Sequence, residues 1–426
     1  MAVRPRRRRS RAGSIAAMPI TIFRGAVATG VALLALATPA TAAGAAGPQV
    51  SAPSAAPSAA PSAAPSATPD APAAPAAPPT LPAPTGPHAV GTTTLHLVDG
   101  SRPDPWVPER KARELMVSLW YPARAPGGRR AAYMTAEESA LLLKGQHVTG
   151  LPEDVLSGTR TNATADAAPA GRGRGLPLVV LSPGFTMPRS SLTILAEDLA
   201  SRGYIVAGID HTYESYGTSL PGGRTATCVA CAEQSADPWR FGDKAARGRA
   251  ADVSFVLDRL TGPRPAWKGG GLIDPSRIAM AGHSLGGSSA SWTALSDPRV
   301  RAGVNMDGTF FVPIPDEGLA RPFLMMGAGK IHEPGGQDFT WGRDWGRMTG
   351  WKRWLTVDGG DHGSFTDYPS LLEQVGVDPG SRLSGARAAE ITRRYVGAFF
   401  DLHLRKRSQP LFDGPSRRYP EVRFHR

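Results

Sequence analysis

Short, continuous apolar runs separated by amphipathic stretches fill the chain from about residue 90 onward. Two runs come first, Thr92 to Val98 and Glu114 to Tyr121, joined by a Pro-rich turn from Arg102 to Pro108. They predict an antiparallel pair at the edge of a sheet. Leu176 to Ser182 and Tyr204 to Asp210 are apolar almost throughout and bracket a helical stretch from Ser190 to Arg202. A strand apolar on both faces has to be covered on both faces, so these residues predict a βαβ unit of a parallel sheet. The alternation continues with a helix from about Asp237 to Leu260, a strand from Arg277 to Ala281 and a helix after it. Strands at Ala302 to Met306, Pro322 to Met326 and Trp354 to Val357 follow, and a helix from Gly385 to Leu404 closes the pattern. The fold class predicted is α/β, with a doubly wound, mostly parallel sheet whose ligands sit at the strands' carboxyl ends. Residues 123–175 interrupt the pattern with one helix, Thr135 to Lys144, inside a Gly-, Arg- and Pro-rich excursion. That excursion reads as a lid or substrate wall over the sheet, or equally as a solvated loop.

Composition removes the first fifth of the 426 residues from this domain. Residues 1–42 carry seven arginines and no acid, then an apolar run from Gly25, then Ala40-Thr41-Ala42. Charged, apolar and small-residue regions in that order predict a secretory signal peptide, too short for a membrane span. Translation from Met18 gives a signal of ordinary length, and the arginine run also fits a twin-arginine export route without spelling a clean motif. Residues 43–87 repeat Ala, Pro and Ser with almost no apolar bulk, which predicts an extended linker or cell-surface stalk. The domains expected are therefore a signal at 1–42, a linker at 43–87 and a catalytic domain at 88–426. Without the seven arginines of residues 1–42 the formal net charge falls from +12 to +5. That balance gives no argument for a nucleic-acid partner.

Polar residues stand at four predicted strand ends. Gly282-His283-Ser284-Leu285-Gly286 lies between a strand and a helix, the context a G-x-S-x-G nucleophile elbow requires, and makes Ser284 the candidate nucleophile. Its glycines suit a strained turn packed against neighbouring backbone. Ser182-Pro183-Gly184-Phe185 ends another strand, and the backbone N–H groups of Phe185 and Leu285 are the candidate oxyanion hole. Asp307 follows the strand after the elbow, and His362 follows the last strand in a Gly-rich loop. Ser284, Asp307 and His362 stand in the Ser, acid, His order of α/β-hydrolases, where the acid fixes the tautomer of the imidazole that takes the serine proton. Glu333, after the next strand, competes with Asp307 as the acid. Asp361 reads as a loop-shaping residue, His211 as a structural loop histidine and His283 as the variable elbow residue.

Leu178 to Phe185, Asp198 to Ala207, Arg249 to Leu257, Gly282 to Gly287, Val304 to Gly308 and Gly360 to Asp367 together resemble the plasma-type platelet-activating factor acetylhydrolases. The resemblance covers most of residues 90–405 and implies an α/β-hydrolase fold. It also implies calcium-independent hydrolysis of short or oxidised sn-2 acyl esters of phospholipids, with Asp307 rather than Glu333 as the acid. Bacterial relatives in the wider group include lipases and polyester-cleaving esterases. Pro183, where the family usually has histidine, and the Pro/Ala stalk depart from the family pattern.

Cys228 and Cys231 are the chain's two cysteines and, in an exported protein, predict a small local disulfide. Gly329-Lys330 lacks the remainder of a phosphate loop, and Gly171 to Gly175 lacks dinucleotide spacing. No cofactor or metal is therefore expected, only an ester or lipid substrate and transient membrane-surface contact through aromatics such as Phe339, Trp341, Trp345, Trp351 and Trp354, which otherwise read as core. A catalytically silent surface module of the same fold is the competing class. The three intact triad positions argue for the enzyme.

Overall fold

The computed structural model describes residues 77–426, so the predicted signal peptide and most of the predicted linker lie outside the described residues. The strands are β1 (Val90–Asp99), β2 (Arg113–Pro122), β3 (Thr164–Ala165), β4 (Leu176–Ser182), β5 (Ile205–His211), β6 (Thr218–Leu220), β7 (Arg224–Ala226), β8 (Ile273–His283), β9 (Val300–Met306), β10 (Phe323–Ala328), β11 (Lys352–Val357) and β12 (Val422–His425). Between them run α1 (Ala136–Gly145), α2 (Thr193–Ser201), α3 (Cys231–Ala236), α4 (Pro238–Thr261), α5 (Leu285–Ser296), α6 (Phe339–Trp345), α7 (Tyr368–Gln374) and α8 (Gly385–Arg405). Ten strands form one sheet in the order β12-β11-β10-β9-β8-β4-β5-β2-β1-β3. From β5 across to β11 neighbouring strands are parallel, and antiparallel pairs β1/β2, β2/β5 and β11/β12 flank them.

The apolar runs become strands because their side chains alternate between two covered faces. Val179 and Leu181 of β4 face α2 and α8 in one cluster, beside Leu199, Tyr395 and Phe399. Leu178 and Val180 face the opposite way, against Val253, Val256 and Leu257 of α4. The chain winds from β4 to β5 in one direction, and β8 lies on the other side of β4. This switch in winding direction brings the carboxyl ends of β4, β5 and β8 together, where an open α/β sheet forms its crevice.

Residues 77–87, which composition places in the linker, instead pack against the domain. Leu81 is buried and its N–H donates to Arg160 O at 2.9 Å. The Thr85 N–H and hydroxyl both donate to Asp198 Oδ1, at 2.8 and 2.7 Å. Gly86 is needed there, because a Cβ would run into the backbone of Ser201. The excursion at 123–175 is a packed wall. Its Thr135 caps α1 reciprocally with Glu138, Leu142 and Leu143 join the cluster that holds Leu81, and β3 pairs with β1. Periodicity missed β12, α6 and α7. Among the aromatics read mainly as core, Trp341 and Trp354 are buried, whereas Phe339 is exposed. Among the described residues no helix is long and apolar enough to cross a membrane.

Candidate active site

At the carboxyl end of β8 the backbone turns through Ser284, at φ 56° and ψ −123°, directly into α5. A non-glycine residue with positive φ is strained and stays there only where its surroundings hold it. The surroundings are close-packed backbone. A Cβ on Gly282 would strike Gly286, one on Gly286 would strike the Ser182 carbonyl, and one on Gly308 would strike the Ser284 carbonyl. The Ser284 N–H donates to Met306 O at 2.8 Å, which ties the elbow to the end of β9.

One residue past β9, Asp307 also has positive φ, 59°, and is fully buried. Asn305 shapes this turn by bonding both the N–H and the carbonyl of Gly308. Asp307 Oδ2 accepts from His362 Nδ1 at 2.6 Å. Its Oδ1 accepts from Ala328 N and from His332 Nδ1, both at 2.6 Å. Burial by itself would raise this carboxyl; the His332 charge and the hydrogen bonds from both imidazoles outweigh it and hold Asp307 well below the usual carboxylate range.

His362 opens a 3-10 turn and is half exposed at the surface. Asp361 shapes that turn by accepting from the Ser364 N–H and hydroxyl. His283 does more than fill the elbow. Its Nε2 donates to His362 O at 2.8 Å, and burial with the neighbouring His362 pushes its own imidazole down to about 3, so it is neutral. Glu333 points away from this cluster to an ion pair with Arg423 at 2.7 Å. The structure therefore bonds His362 to Asp307, sets the Ser284 turn against the end of β9 that carries Asp307, and leaves Glu333 outside.

Gly184 comes up against the elbow, where a Cβ would lie 2.9 Å from His283 Nδ1 and 3.4 Å from Ser284 Cβ. Phe185 follows it and packs with Leu285 in one apolar cluster. Beneath, Arg249 of α4 donates to Pro183 O at 2.6 Å and to Glu214 Oε2 at 2.7 Å. His211 bridges Ser182 Oγ at 2.9 Å and Asp252 Oδ2 at 2.8 Å. Arg113 closes the network against Asp104, Asp252 and the Thr212 carbonyl. These buried groups pair with and hydrogen-bond one another, so losing one partner strands the rest. Arg249→Met is expected to lower stability by about 3 to 5 kcal/mol in denaturant unfolding, whereas an unchanged midpoint would mean the network carries little weight.

Sequence reading missed His332 and the Arg249 network, because loop histidines and helix arginines carry no periodic signal. Near Leu285, an aromatic strip runs from Phe185 and Phe241, 4.6 Å apart, to Phe311, Trp239 and Phe339, successive rings 5.4 and 5.9 Å apart. Trp239 and Phe339 are exposed. Farther out, the Cys228 and Cys231 Sγ atoms lie 2.06 Å apart. Among the described residues no group of His, Cys, Asp and Glu is arranged to hold a metal ion.

Several known proteins resemble this chain over most of its length. The family model for platelet-activating factor acetylhydrolase, isoform II, matches residues 76–221. A probable 1-alkyl-2-acetylglycerophosphocholine esterase of Arthroderma benhamiae is 28% identical, covering 81% of this chain and 93% of that one. The platelet-activating factor acetylhydrolase of Bos taurus is 24% identical, covering 69% and 70%. A solved ferulic acid esterase from Streptomyces cinnamoneus is 46% identical with a TM-score of 0.73, covering 82% of this chain and all of that one. With its mostly parallel sheet and the strained turn at Ser284 between β8 and α5, the chain belongs to the platelet-activating factor acetylhydrolase-like family of α/β-hydrolases and is a carboxylic ester hydrolase.

Proposed function

We propose that the chain is an exported serine esterase in which Ser284 is the nucleophile, His362 the general base and Asp307 the acid. The observation that carries this is the His362 Nδ1 to Asp307 Oδ2 hydrogen bond of 2.6 Å, beside a serine held at positive φ. Because Asp307 accepts the Nδ1 proton, the Nε2 lone pair of His362 is free to take the Ser284 hydroxyl proton. Ser284 Oγ then attacks the ester carbonyl, and His362 passes the proton to the leaving alcohol. Water repeats the sequence on the acyl-enzyme and releases the acid. Phe185 and Leu285 supply the two N–H groups for the oxyanion; neither amide has an acceptor among the described residues. Arg249, through the Pro183 carbonyl, fixes the loop that carries the first of them.

For the substrate, the aromatic strip supports an ester whose acid part is flat and apolar, as in hydroxycinnamates, and the 46% identical ferulic acid esterase supports the same reading. The second reading is a phospholipid with a short or oxidised sn-2 acyl chain, supported by the family model and the Arthroderma benhamiae relative. Exposed Trp239 and Phe339 then serve as transient contacts with a lipid surface. The arginine-rich start followed by an apolar run, and the paired cysteines, support export. Comparing kcat/KM on methyl ferulate, p-nitrophenyl acetate, p-nitrophenyl palmitate and 1-alkyl-2-acetylglycerophosphocholine decides between the readings. Methyl ferulate is expected to exceed the phospholipid by about tenfold or more, and the reverse order replaces the first reading by the second.

A further inference from the structure

We propose that His332 is a charged second imidazole on Asp307, a positioning residue that holds this carboxylate in place and competes with His362 for its negative charge. The inference rests on the triad reading above. His332 lies in the loop between β10 and α6 and is almost completely buried. Its Nδ1 meets Asp307 Oδ1 at 2.6 Å and its Nε2 meets Asp338 Oδ2 at 3.1 Å. A carboxylate only accepts hydrogen bonds, so a ring with a carboxylate on each nitrogen carries a proton on both. Burial opposes that charge, but the two carboxylates outweigh it and push His332 up to about 9. Trp341 lies over the ring, centroids 4.3 Å apart and planes 28° apart, which suits a cation.

The groups facing this pair come from every element packed on it. Asp338 begins α6 and also accepts from Thr309 and Thr340. Trp354 and Thr356 of β11 are neutral and donate to the His332 carbonyl. His283 of the elbow is neutral, and the Glu333 to Arg423 ion pair stands outside at the surface. One cation thus lies between two carboxylates, and one of those carboxylates carries His362 on its other oxygen. A charged His332 shares the negative charge of Asp307, so less of it stabilises the His362 imidazolium. Removing the cation reverses this. The whole charge of Asp307 then faces His362 alone, and the acid limb of the rate profile moves to higher pH.

The test is kcat/KM of the full chain on p-nitrophenyl acetate from about pH 5 to about pH 10, for wild type, His332→Asn and His332→Gln. Asparagine keeps a donor for Asp307 without the charge. Its acid limb is expected to move up by about one to two pH units, giving about a tenfold or greater loss near pH 6 and rates close to wild type near pH 9. A residue with only a structural role lowers activity equally at every pH. That pattern, or an unmoved acid limb, overturns the proposal. Should the variants fail to fold, nitrogen-15 spectra of wild-type histidine rings replace them. One ring protonated on both nitrogens to about pH 9 supports the inference, and no such ring at neutral pH overturns it. Ser284→Ala, run alongside, separates the two readings: an inactive Ser284→Ala with an unmoved His332→Asn profile sinks the His332 inference alone, whereas an active Ser284→Ala sinks the triad and this inference with it.

Discussion

Ser284→Ala is expected to abolish ester hydrolysis, with kcat falling by on the order of 10⁴ or more, while the thermal unfolding transition stays in place. The serine's backbone conformation is costly for any side chain, so alanine inherits the same strain and the same packed neighbours. The Oγ atom is what disappears, and with it the covalent route. Ser182 is hydrogen-bonded to a histidine, His211, but both are buried beneath the Pro183 turn and neither reaches a substrate. Initial rates and melting curves on the same preparation decide the matter. A folded Ser284→Ala that keeps most of its activity removes Ser284 from the nucleophile's place.

Asp307→Asn is expected to cost nearly as much, roughly 10⁴ in kcat, and the reason lies in what surrounds the carboxylate. Oδ1 receives N–H groups from Ala328 and His332, so an asparagine there turns its oxygen toward them. Its NH₂ then faces His362, which has to accept through Nδ1 and carry its proton on Nε2. In that tautomer the base cannot take the serine proton. Glu333→Gln, by contrast, only weakens a surface ion pair with Arg423 and leaves kcat within about twofold. Kinetics of the two purified variants test the assignment, and the opposite ranking overturns it.

Much of this arrangement was legible in the chain because burial on two faces writes a distinctive pattern. Leu178 to Leu181 have no polar side to spare, and the covered β4 follows from that. The sharp turn at Ser284 was legible because it demands small neighbours, and the place of Asp307 because it follows a buried strand. His332 was not, since its partnership with Asp307 depends on a loop folding back across the end of β9. The Arg249 network was equally hidden, because its partners come from separate parts of the chain and meet only when the fold is assembled. Residues 77–87 were misread for a different reason. A Pro- and Ala-rich composition describes the average of the segment, whereas the docking depends on Leu81, Thr85 and Gly86 individually.

The two borders of the large sheet bear on self-association. On one side the last strand is β12, four residues long, with Arg423 bonded to Asp358 and Glu333; on the other it is β3, two residues long. A long bare border strand offers a row of unpaired amides and carbonyls that another copy can extend into a shared sheet, and short or charged borders deny it that template. β12 denies that template on one side; on the other, β3 pairs only with Gly91 and Thr92, so among the described residues Thr93 to Asp99 of β1 keep a longer border stretch without a strand partner.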